Sequence, residues 1–126
     1  MTRTVTLNDA ADLRQFTGTE HYYRSIVPSL VYTDGVQYIA ESRKAYWLID
    51  VCMSHAHELL SKYGSDSEQA AFIVCKLVVK DNAAIFTCED GNENETARQE
   101  IEFTDFPAGE FSLWLTGGVL MLPSEY

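Results

Sequence analysis

Basic side chains are scarce. The chain has 126 residues, with nine Lys and Arg against 19 Asp and Glu, for a formal charge of −10. That deficit argues against direct nucleic-acid binding, because phosphates would be repelled rather than neutralised. Prolines number only three and cysteines three, which excludes a Pro-rich linker and a disulfide-dense scaffold. No apolar run approaches the roughly 20 residues of a spanning helix, so no membrane association is expected. No internal repeat or low-complexity tract stands out. The stretch Met1-Thr-Arg-Thr-Val-Thr-Leu7 lacks the apolar core of an export signal. An odd cysteine count without such a signal leads to the expectation of reduced thiols and a cytoplasmic setting. What is present is ample apolar material, 46% of the chain, enough for a single domain over residues 1–126.

The pattern predicts an α+β fold: a mainly antiparallel sheet of five to seven strands, one long helix packed across it and a short N-terminal helix. Asn8 is suited to cap that short helix over Asp9 to Phe16. Glu20 to Val27 reads as a strand ended by Pro28. Ser29 to Thr33 and Val36 to Glu41 flank Asp34-Gly35, a strong hairpin signal. Arg43 to Tyr63 reads as the long helix, with Ala45, Leu48, Ile49, Cys52, Ala56, Leu59, Leu60 and Tyr63 forming one apolar stripe. Ala71 to Lys80 and Ala83 to Glu89 form a hairpin about Asp81-Asn82, which sets Cys75 directly opposite Cys88. After the polar turn Asp90 to Glu95, Ile101 and Phe103 alternate with Arg98, Glu100, Glu102 and Thr104. Phe111 to Thr116 and Val119 to Leu122 flank Gly117-Gly118. This last hairpin is apolar on both faces, so it is either central in the sheet or covered by a partner.

Several stretches together resemble a family of small uncharacterised proteins from bacteria, cyanobacteria included, and from phages or plasmids. They are Gln15-Phe-Thr-Gly-Thr-Glu20 with Tyr23-Arg24, Tyr32-Thr-Asp-Gly-Val36, Ala45-Tyr-Trp-Leu-Ile-Asp50, Cys88-Glu-Asp-Gly-Asn92, Ile101-Glu-Phe-Thr-Asp-Phe-Pro107 and Leu122-Pro-Ser-Glu-Tyr126. The resemblance carries over no catalytic residue. It makes an accessory role on a mobile element conceivable, by analogy alone.

The candidate chemistry is thin. Cys52 and His55 share a helix face, but His57 points elsewhere, short of the three or four convergent ligands that zinc needs. Asp50, Ser54 and His57 share a face in the wrong order for a triad, since the imidazole must lie between hydroxyl and carboxylate. Asp90-Gly-Asn92-Glu-Asn94 begins like a calcium loop, yet its sixth position is Glu95 and its twelfth Ile101. Cys75 opposite Cys88 allows a disulfide, which a reducing cytosol disfavours. No catalytic residue, metal or cofactor is therefore expected.

Charge is the clearest signal. Residues 63–126 hold three basic and 12 acidic groups, against six and seven in residues 1–62. The leading expectation is a non-enzymatic interaction module. Glu93, Glu95, Glu100 and Glu102 would dock a basic protein partner, and Trp114 with Met121 would form a homodimer interface. The alternative is a small-molecule-binding protein or enzyme, with a pocket lined by Glu20, Tyr23, Arg24, Tyr38 and Trp47. A third possibility, a metal-bound regulator, needs Cys52 and His55 to converge with a residue such as His21.

Overall fold

The computed structural model describes residues 5–126. It is an α+β fold: one seven-stranded mixed sheet, mostly antiparallel, with two α-helices. The strands are β1 (Tyr22–Arg24), β2 (Val31–Thr33), β3 (Phe72–Lys80), β4 (Ala83–Glu89), β5 (Glu95–Ile101), β6 (Gly109–Thr116) and β7 (Val119–Met121). Their order is β1-β2-β7-β6-β3-β4-β5. Among the described strands, β2 and β7 alone pair in parallel, which a mainly antiparallel expectation did not specify. The chain between them supplies both helices, α1 (Asp34–Ser42) and α2 (Tyr46–Tyr63), and all the intervening strands.

The β3–β4 hairpin forms as expected. Asp81 and Asn82 take φ of 55° and 62°, the left-handed pair that a two-residue turn requires. The register then puts Cys75 opposite Cys88. The β6–β7 hairpin turns on Gly117 and Gly118, at φ 59° and 79°. Both of its strands lie inside the sheet, β6 between β7 and β3 and β7 between β6 and β2. The hairpin is thus central in the sheet, the first of the two expected positions.

One sheet face carries Ile73, Cys75, Leu77, Phe86, Cys88, Phe111, Leu113, Leu115 and Leu120, all buried. The helices pack there. In α2 the buried side chains are Leu48, Ile49, Cys52, Met53, Ala56 and Leu59. Tyr46, Asp50, Ser54, His57 and Ser61 are exposed on its other side, as the periodicity predicts. Tyr63, placed on the apolar stripe, is exposed, because α2 ends there at Gly64.

Three expectations are corrected. Val36–Glu41 is not a strand but lies in α1. The Thr33 hydroxyl accepts a hydrogen bond from the Val36 amide at 3.4 Å, an N-cap, so Asp34-Gly35 opens a helix instead of turning a hairpin. Val36, Ile39 and Ala40 then reach the core at helical spacing. Asp9 to Phe16 is not an α-helix. Only two 3-10 turns form, Leu7–Asp9 and Ala11–Leu13. Asn8 caps nothing; its side-chain amide donates to the Ser112 carbonyl and accepts from the Ser112 amide, both at 2.8 Å. It acts as an extra strand residue beside β6. Finally, the alternation after β5 stops at Ile101: Phe103 is 70% exposed and Thr104 is buried, its hydroxyl accepting from the Phe106 amide.

No element among the described residues lies over the second sheet face as the helices lie over the first. Its cross-strand rows follow from the register. One reads Met121, Trp114, Val74, Glu89, Glu95; the next Ser112, Lys76, Thr87, Arg98; the next Glu110, Val78, Ile85, Glu100.

Candidate functional site

Three places concentrate chemistry, and each is built from residues far apart in the chain.

The first is the N-terminus of α1. Asp34 accepts from the amides of Glu20 (2.9 Å) and His21 (3.3 Å) and from the Tyr23 hydroxyl (3.1 Å). These bonds, the Glu20 amide first, hold its carboxyl below the usual range. The same contact raises the Tyr23 phenol. Glu125 reaches in from the C-terminal 3-10 turn. Its carboxylate accepts from the Thr33 hydroxyl (2.6 Å) and from the amides of Gly35 (3.1 Å) and Leu122 (2.9 Å). A Cβ on Gly35 would lie 2.4 Å from that carboxylate, so glycine is required by close approach. The junction thus joins three stretches that are separate in sequence: Gly18-Thr-Glu20, Thr33-Asp-Gly35 and Pro123-Ser-Glu125. An open cleft of about 830 Å³ beside it is lined by Phe16, Glu20, His21, Tyr38 and Glu41. At its margin Asp12 binds Arg43 through both carboxylate oxygens (2.6 and 3.0 Å) and accepts from the Tyr38 hydroxyl (2.7 Å). Arg43 above all, then Tyr38, lowers the Asp12 pKa to about 2. Asp12, Asp34 and Glu125 all have protein partners, so this arrangement braces the fold.

The second place is the outer rim of β5. No strand among the described residues pairs with its free edge. Glu93 in the preceding turn, Glu95 and Glu100 on the strand and Glu102 just past its end are all exposed. Arg98, the one base on the strand, lies 3.6 Å from Glu95. At the far end of β5 a cleft of about 700 Å³ opens between the strand and the α1–α2 link, lined by Lys44, Trp47, Ile101, Phe103, Asp105 and Phe106. Trp47 packs edge-on to Phe106.

The third place is a core cluster of thiols. Cys52, Cys75 and Cys88 are buried and unpaired. The Cys75 thiol lies in hydrogen-bonding reach of the other two; the contact with Cys52 and burial push its pKa well up. The Cys88 thiol is raised by Cys75 and by burial. Such thiols stay protonated and are poor nucleophiles.

The pocket expected from Glu20, Tyr23, Arg24, Tyr38 and Trp47 is divided. Glu20 and Tyr38 share the α1 cleft, and Tyr23 abuts it through Asp34. Trp47 lies in the β5 cleft instead. Arg24 is exposed on β1 and forms no ion pair with Glu20. Cys52 and His55 also part company: Cys52 turns to Cys75, and His55 stacks on Phe86 with its Nε2 2.8 Å from Gln99 Oε1. His21 faces Asp34 at 3.4 Å. Among the described residues no three His, Cys, Asp or Glu side chains gather as metal ligands. Asp90 closes its own turn, accepting from the amides of Asn92 and Asn94. Those bonds, Asn94 first, lower its pKa. On the open face Trp114 is half-buried, packed edge-on by Phe72 and Tyr126.

Glu125, Phe103 and Lys44 escaped the sequence reading. Glu125 carried a signal, since Pro123 at the first position of a turn with Glu two residues on is a helix-start pattern. Phe103 and Lys44 carried none.

A family model described as a family of unknown function (DUF6876) matches residues 8–126, and the chain belongs to that family. No curated protein and no solved structure matches it.

Proposed function

We propose that this member of the DUF6876 family is a protein-interaction module that docks a basic protein partner through the acidic rim of its sheet, the turn before β5 and β5 itself. One observation carries the reading: Glu93, Glu95, Glu100 and Glu102 stand exposed on the edge strand β5 and the segments flanking it, and the single base there, Arg98, lies beside Glu95. Surface carboxylates that lack local counter-charges steer and orient a basic partner. The other candidate sites argue less for chemistry. Asp12, Asp34 and Glu125 beside α1 are committed to fold contacts, and the thiols are buried. Three free cysteines suit a reducing compartment.

The test is capture of basic proteins from source cells by the tagged chain and by its Glu100→Lys/Glu102→Lys variant. Wild type should enrich basic proteins at low salt and release them at high salt, because exposed charge pairs are screened. The variant should lose them. Equal capture by both chains would overturn the reading.

A second reading has its own support. Val78 and Ile85 sit side by side on the open face at 37% and 41% exposure, two rows from Trp114 and Met121, with the row of Lys76 and Thr87 between. A second copy seated there would form a two-fold dimer. Sedimentation should then show a dimer that Ile85→Glu dissociates; a monomer at all concentrations rejects it.

A further inference from the structure

We propose that β5 receives its partner as an added β-strand, an extended segment in which basic and apolar residues alternate. The inference rests on the docking reading above and specifies its geometry.

The backbone of β5 has unused groups in known places. A two-residue turn makes Lys80 and Ala83 a hydrogen-bonded pair. Alternation along the β3–β4 register then directs the backbone groups of Ile85 and Thr87 to β3, and those of Ala84, Phe86 and Cys88 to β5. The latter three face Ile101, Gln99 and Ala97. Arg98 and Glu100 therefore turn their N–H and C=O groups away from β4, toward the free edge. Natural edges are blunted by proline, bulges, charge or a covering element. Here the register shift is confined to the Cys88/Glu89 end and Ala97–Ile101 is regular and free of proline, so charge, at Glu95, Arg98 and Glu100, is what guards the edge and selects what may add to it.

The two sides of that edge differ. On the open face stand Glu95, Arg98 and Glu100, with Arg98 held 3.6 Å from Glu95, so the two carboxylates outnumber the one base. On the helix side lie Ile101, Trp47 and the exposed Phe103, with Lys44 in the same cleft. Side chains of an added strand alternate between these sides. Lysines or arginines fit the first, and apolar residues fit the second, where Lys44 would repel a base. A second copy of this chain is the wrong occupant, because its own β5 would bring further acids to the same rim. This is strand addition to a sheet edge, with backbone bonds giving affinity and alternate side chains giving specificity.

The experiment uses the full chain, labelled with nitrogen-15, and a blocked peptide of alternating Lys and Val. Binding at low salt should shift the amides of Arg98 and Glu100 and slow their hydrogen exchange. Methylating the backbone nitrogens of the peptide's lysines keeps every charge but removes the donors, and should weaken binding about tenfold or more. Arg98→Pro removes an outward N–H while leaving the β4 ladder intact, and it also removes a positive charge. Strand addition therefore predicts weaker binding, whereas docking by charge alone predicts equal or tighter binding. If the methylated peptide and Arg98→Pro both bind as well as their parents, strand addition is overturned and charge docking stands. If no peptide binds at low salt, both fail.

Discussion

Glu125 shows how much one side chain can organise. It satisfies the Thr33 hydroxyl and the Gly35 amide at the start of α1, the latter a donor that helix geometry leaves without a backbone partner, and the Leu122 amide of its own turn. Bonds to a charged acceptor contribute more than neutral ones, so Glu125→Ala should cost about 2 kcal/mol. Its partner in space, Gly35, has no room for a methyl group, with Glu125 at 2.4 Å and Leu122 at 2.7 Å from an added Cβ. Gly35→Ala should cost a similar amount, about 1–3 kcal/mol, by overpacking. Urea unfolding reads both, as a lower midpoint with an unchanged slope. An unaltered midpoint for Gly35→Ala would mean that the carboxylate swings away freely. The buried thiols give a second prediction at this scale. Cys52, Cys75 and Cys88 should resist iodoacetamide in the native chain and all three should react once it is denatured. Rapid native labelling would contradict their packing.

Among the elements, α1 depends most on distant contacts. It is nine residues long, too short to be stable alone, and its cap combines Thr33 with Glu125. Thr33→Ala and Glu125→Ala should therefore be non-additive, with a coupling of about 1 kcal/mol in a double-mutant cycle. Removing Glu125 should also speed hydrogen exchange at Gly35 and Val36 before it affects the β3 and β4 amides, since local opening precedes global unfolding. Equal acceleration in α1 and in the sheet would show that α1 has no separate opening. The β3–β4 hairpin is the opposite case. Its turn, alternation and register all agree locally, which is why it was legible in full, from Asp81-Asn82 to the Cys75–Cys88 pairing. Helix α2 was legible for the same reason, through its 3.6-residue stripe.

At the scale of the whole molecule, stability should follow acid titration. Asp12, held at about 2 by Arg43 and Tyr38, and Asp34 and Asp90, both lowered, are more acidic folded than unfolded. Their contribution is complete above the unfolded carboxylate range, near pH 4, and is lost as pH falls through the folded values toward about 2. Denaturant midpoints should fall across that window, and Asp12→Asn should flatten the fall. A midpoint independent of pH there would deny these contacts a role. The acidic rim should behave differently, with its effects weakening as salt rises because exposed charges are screened.

The amino-acid sequence by itself determined the fold class, the long helix, the central hairpins and the uneven charge. Each of these is written in near neighbours, as a period, a turn or a composition. Only the tertiary structure decided that Asp34-Gly35 begins a helix, because the capping carboxylate comes from residue 125, 90 residues beyond Gly35. It likewise decided that Asn8 clamps Ser112 and that Trp47 sits with Phe103 and not with Glu20. It also decided that β5, and not the apolar β6–β7 hairpin, lies at the edge. Strand order has no local signature, since it depends on which apolar faces meet when the whole chain closes around one core.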